Sequence, residues 1–134
     1  MVAESKGVAL FADGDVTPVR CDVDEMGVLI RNLVDNAVRY TPAGGRVDVS
    51  VERSAATRAQ ALIRVVDNGP GIAREERERV FDRFYRRPGA PVPGSGLGLA
   101  IVKAIAVAHG ATVELGEGAD GRGLAVTVAF PAED

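Results

Sequence analysis

Apolar residues recur along this chain in two rhythms. Leu29, Ile30, Leu33, Val34, Ala37 and Val38 stand three and four positions apart, the spacing of one face of an α-helix. That spacing predicts a helix opening at Asp22, which with Glu25 forms a capping-box pattern, and running to about Tyr40, where Thr41-Pro42 and Gly44-Gly45 stop it. A second helix is predicted behind the glycine stretch Gly94 to Leu99, through the largely apolar run Ala100 to His109, with Gly110 as its C-cap. A third is predicted over Arg74 to Phe84, charged on most sides and held down by Val80, Phe81 and Phe84.

The second rhythm has a period of two. Val47, Val49 and Val51 alternate with polar residues as a half-buried strand, Ser54 to Arg58 form a turn, and Ala61 to Val66 read as a more apolar, central strand. Val8 to Phe11 and Val16 to Val19 predict two short strands around a turn at Asp13-Gly14-Asp15. Thr112 to Leu115 and Leu124 to Phe130 predict a closing hairpin across the segment Gly118 to Gly123.

Composition narrows the class. With 134 residues, 46% of them hydrophobic and 26% charged, the chain is expected to form one globular domain over 1–134. The net charge of −3 offers nothing global to nucleic acid or to a membrane surface, so any phosphate-binding patch must be local. A lone cysteine, Cys21, reads as a small packed side chain in a reducing compartment. No apolar run approaches the roughly 20 residues of a membrane span, and Met1 to Lys6 lack a signal-peptide pattern.

Three stretches carry candidate chemistry. Gly94-Ser95-Gly96-Leu97-Gly98-Leu99 precedes a helix, and exposed N–H groups at a positive helix end suit a phosphate chain, although such loops also close ordinary turns. It is not a Walker A loop, because Leu99 and Ala100 stand where Lys and Ser/Thr belong. Nor is it a Rossmann loop, because Pro88 to Pro93 exclude a preceding strand. On the first helix Asn32, Asn36 and the pair Arg39/Tyr40 share a stripe. They read either as solvated polar residues or as a carbonyl ligand for Mg²⁺ (Asn36), a phosphate contact (Arg39) and a surface for a flat ring (Tyr40). Asp67, ahead of Gly69-Pro70-Gly71-Ile72, stands at a strand end, either as turn punctuation or as an acceptor for an exocyclic amine. Tyr85-Arg86-Arg87 adds cations before a Pro/Gly segment suited to closing over phosphates. His109, the single histidine, reads as structural at a helix C-terminus.

Together the stretches resemble the ATP-binding catalytic domain of sensor histidine kinases, of the Bergerat-fold (GHKL) ATPase group. Asn32 to Pro42 match its N box, Asp67 to Gly71 its first glycine box, Phe81 to Arg86 its F box and Gly94 to Leu99 its second glycine box. The resemblance implies an α/β fold: a two-layer sandwich with a mixed, mainly antiparallel sheet under about three helices. It implies ATP and Mg²⁺ as cofactors, with Asn36 on the metal and Asn32 beside it. Arg39 would meet phosphate, Tyr40 would lie by the adenine, and Asp67, with Gly69, Gly71 and Ile72, would hold the base. Arg86 or Arg87 would serve the γ-phosphate, and the segment of Gly94, Ser95, Gly96, Leu97, Gly98 and Leu99 would cradle the phosphates. It also implies transfer to a histidine on a separate dimerisation domain, absent from this sequence. That domain would belong to the same kinase, a homodimer at full length on the cytoplasmic side of a bacterial inner membrane, with a response regulator downstream.

Asn32 departs from the group's hydrolytic relatives, which carry a glutamate there. An amide is a poor base, so fast hydrolysis is not expected. His109-Gly110-Ala111 departs mildly from the group's His-Gly-Gly, and Arg87 to Gly94 is a short, Pro-rich lid. Two other readings stay open: a nucleotide-sensing interaction module that transfers no phosphate, and an anti-sigma-type serine kinase on the same fold.

Overall fold

The computed structural model describes residues 2–3, 8–14, 21–54, 60–82, 98–118 and 121–131. In chain order these form β1 (Val2–Ala3), β2 (Val8–Gly14), α1 (Val23–Tyr40), β3 (Arg46–Ser54), β4 (Gln60–Asp67), two 3₁₀ turns (Arg74–Glu76 and Arg79–Phe81), α2 (Gly98–Ala108), β5 (Thr112–Glu117) and β6 (Leu124–Pro131). The strands make one sheet in the order β1-β2-β3-β4-β6-β5, in which β2 and β3 run parallel and the other neighbours antiparallel. This is the mixed, mainly antiparallel sheet expected, with the helices on one face.

The period-two pattern sets which face that is. Along β4 burial alternates strictly, with Ala61, Ile63, Val65 and Asp67 turned inward. Leu124, Val126, Val128 and Phe130 of β6 do the same beside them. Leu29, Leu33 and Ala37 of α1 and Leu99, Val102, Ile105 and Ala106 of α2 close over this surface to form the core. Burying each large apolar side chain there contributes about 1.5–3 kcal/mol, so the helices are held by packing more than by propensity. Asp22 caps α1 by accepting from the Glu25 N–H at 3.0 Å, as its pattern predicts. Thr41, wholly buried, ends the helix by donating its hydroxyl to the Ala37 carbonyl at 2.7 Å. Gly110 follows α2 with φ +69°, the left-handed C-cap position.

Two expectations fail. Asp13 and Gly14 do not turn the chain: β2 continues through them, paired with Ser50 and Val51 of β3. Gly14 is there for proximity, since a Cβ would stand 2.7 Å from the Val51 carbonyl oxygen. The partner segment Val16 to Val19 lies outside the described residues. The predicted helix at Arg74 to Phe84 is, as far as Asp82, two single 3₁₀ turns. Val80 is the one buried side chain among those turns, and so little apolar area cannot hold a full α-helical stripe against the sheet. The Arg77 side chain instead bonds back to the Ile72 carbonyl at 3.2 Å. Phe84 lies outside the described residues.

Candidate functional site

Asp67 ends β4 on the inner face, and with 3% of its surface exposed it is one of two buried polar residues among those described. A buried carboxylate is costly unless hydrogen-bonded. Here Oδ1 accepts from the Gly69 N–H at 3.0 Å and from the Leu124 N–H at 3.2 Å. Three backbones crowd this corner. A Cβ on Gly69 would come 2.5 Å from the Tyr40 carbonyl oxygen, and one on Gly71 would come 2.7 Å from that of Gly123. Gly123, at φ +79°, would drive a Cβ into the Asp67 carbonyl. The end of α1, the turn after β4 and the β5–β6 hairpin therefore meet around the carboxylate.

The polar stripe of α1 starts from this corner and runs away from it. Asn32, Asn36, Arg39 and Tyr40 are all half-buried. Asn32 donates its Nδ2 to the Val28 carbonyl one turn back, at 2.8 Å, which commits the NH₂ to the helix. Its Oδ1 faces the start of α2, where a Cβ on Gly98 would lie 3.5 Å away. At 1.5 Å per residue, the eight positions from Asn32 to Tyr40 cover about 12 Å. One helix face thus bridges the N-terminus of α2 and the Asp67 corner.

Ile72 and Leu99 are buried members of the core. Arg86, Arg87, Gly94, Ser95, Gly96 and Leu97 lie outside the described residues. Among those described, no three His, Cys, Asp or Glu side chains gather as a metal cage, and no helix is long and apolar enough to cross a membrane.

The family model for histidine kinase-, DNA gyrase B- and HSP90-like ATPases matches residues 21–134. The chain belongs to this family. Sensor protein kinase PmrB of Pseudomonas aeruginosa is 52% identical over 105 residues, which are 77% of this chain and 21% of PmrB. The solved structure of the mycobacterial sensor histidine kinase MprB superposes with a TM-score of 0.83 at 34% identity, over 95% of this chain and 85% of that one. A structure of full-length ShkA in complex with AMPPNP matches with a TM-score of 0.74 at 31% identity, over 97% of this chain and 27% of that one. The resemblance read from the four boxes and the α/β sandwich inferred from it are both borne out. The chain spans about a fifth of the length of curated relatives such as PmrB and the QseC sensor protein of Salmonella typhi.

In this ATPase-family domain His109 is structural, as its position suggested. Its Nδ1 lies 2.8 Å from the Ile105 carbonyl and its Nε2 accepts from the Asp22 N–H at 3.1 Å. Because a carbonyl only accepts, the proton sits on Nδ1, and the ring ties the end of α2 to the start of α1. The contribution of the β5–β6 hairpin to the Asp67 corner was not legible in the motifs. Its only trace is the run of glycines at 118, 121 and 123, which reads as loop composition.

Proposed function

We propose that this chain binds Mg-ATP in the cleft between α1, the Asp67 corner and the start of α2, and acts as the catalytic domain of a sensor histidine kinase. It passes the γ-phosphoryl group to a histidine on a separate dimerisation domain, on the cytoplasmic side of the membrane, for relay to a response regulator. One observation carries this reading: the Asn32–Tyr40 stripe joins an acceptor corner at one end to a helix N-terminus at the other, the layout a nucleoside triphosphate requires.

The donor set fits the ligand. An ionised carboxylate offers about four acceptor positions, so Asp67 can hold two backbone N–H groups and also take the exocyclic amine of adenine. Arg39 and Tyr40 serve phosphate and base from the same stripe. Asn36 offers a single amide oxygen, which suits Mg²⁺, an ion that keeps waters and substrate phosphates as its other ligands. Bound there, the ion neutralises phosphate charge. Asn32, with its NH₂ tied to Val28, holds an oxygen toward the phosphate end but is no base for water, which favours transfer over hydrolysis. Arg86 and Arg87 are assigned to the γ-phosphate on sequence alone.

The test mixes the 134-residue protein with a histidine-bearing dimerisation domain, Mg²⁺ and γ-labelled ATP. Acid-labile phosphohistidine is expected. Nucleotide binding without label favours the nucleotide-sensing module, and acid-stable label on a serine-bearing partner favours the serine kinase.

A further inference from the structure

A concavity lies on the sheet face turned away from the helices. Because Val65 and Asp67 point inward, Val66 points outward; Asp48, its partner in register on β3, and Arg46 two positions earlier share that outer face. With the loop Pro42 to Gly45, Asn68 and Arg122, they border an open depression of about 660 Å³, a volume comparable with that of ligand sites. Among the residues described for the inner cleft, only Asp67 also borders this one, and its carboxylate is engaged on the inner side by Gly69 and Leu124.

The polar groups in this outer cleft select a ligand chemistry. Arg46 and Asp48 answer each other through two 2.8 Å bonds, from Nε and Nη2 to the two carboxylate oxygens, and this pairing raises the Arg46 pKa. The pair is therefore internally neutral. Asn68 gives its Oδ1 to the Arg46 N–H at 2.8 Å, so the group it can offer a ligand is its NH₂. Arg122 is exposed and has no ion pair among the described residues. One uncompensated guanidinium, one amide donor and an apolar floor of Pro42, Ala43 and Val66 suit a single carboxylate carried on an apolar body. A phosphate would leave the apolar floor uncovered. A lone small acid would leave most of the volume unfilled.

We propose that the outer cleft binds an acidic peptide segment of a partner protein. A Glu or Asp carboxylate bonds to Arg122 and Asn68, and a neighbouring apolar side chain covers Pro42 and Val66. This site is independent of the nucleotide reading and would stand if that reading failed.

The experiment titrates the ¹⁵N-labelled protein with acetyl-Leu-Glu-Leu-amide, its Gln analogue and glutarate, following amide chemical shifts. The acidic peptide should give saturable shifts at Gly44, Gly45, Asn68 and Arg122. Binding should weaken about fivefold or more for the Gln peptide and for the Arg122→Gln protein, in line with loss of a charge-assisted bond. Arg122 is exposed, so an otherwise unchanged spectrum will verify that this variant folds. Equal affinity for the Gln peptide, glutarate binding as tightly as the peptide, shifts confined to Asn32, Asn36 and Gly98, or no saturable shift would each overturn the proposal.

Discussion

Oδ1 of Asp67 accepts a hydrogen bond from the backbone of Leu124, 57 positions further along the chain, at 3.2 Å. The strand end that supplies the carboxylate is thus held by the hairpin that closes the fold, and the contact requires Gly123 to lie flat against the Asp67 carbonyl. Gly123→Ala should therefore destabilise the protein by at least ~2 kcal/mol: about 1–2 for a left-handed alanine, and more for the overlap. Urea denaturation checks this. A midpoint within error of the parent would show that the corner relaxes freely.

Asp67→Asn keeps the shape of the side chain and an oxygen for the two N–H groups, but it trades an acceptor for a donor. On the proposed reading ATP affinity should fall about tenfold or more, the worth of a hydrogen bond to a charged group. A purine triphosphate lacking the 6-amino group should lose much less. Calorimetry with both nucleotides decides it, and equal losses would remove the adenine assignment.

Asn36→Ala should abolish the gain in nucleotide affinity that Mg²⁺ provides while leaving Mg-free binding and thermal stability close to the parent. Asn36 is half-buried at the edge of the face that carries Leu29, Leu33 and Ala37 but is not one of the buried core residues, and alanine is a good helix former, so folding should tolerate the change. Titrations with and without Mg²⁺ measure it; an undiminished Mg²⁺ effect would move the metal to other ligands.

Gly98→Ala separates a glycine kept for folding from one kept for a ligand. The new Cβ would meet Asn32 Oδ1 at 3.5 Å, an ordinary contact, and alanine favours a helix over glycine by up to ~1 kcal/mol. The melting temperature should hold or rise while ATP affinity falls about fivefold or more. A variant that binds ATP as well as the parent would place the phosphates elsewhere.

Local signals carried much of this protein. Apolar residues three and four apart, with Asp22 ahead and Pro42 behind, determined α1, because capping and amphipathicity act within a few residues. Alternating valines determined β3 by the same locality. The four boxes were legible because each sets particular side chains at close spacing within a short stretch, and they named the family correctly. Asp13-Gly14 and the Arg74–Phe84 segment misled because each was judged from its own residues. A glycine that reads as a turn became a close strand contact, and a helical spacing with too little to bury settled into 3₁₀ turns.

Tertiary structure alone decided what surrounds the chemistry. No local pattern links Asp67 to Leu124, Asn32 to Gly98, or His109 to Asp22, since each pair is joined only after the sheet order and helix packing are set. The outer cleft has the same origin, formed where the Pro42–Gly45 loop, two strand ends and the hairpin meet. Sequence determined which groups the chain carries and the short elements that bear them. Long-range backbone packing determined which of those groups face one another, because burial and register are properties of the assembled sheet.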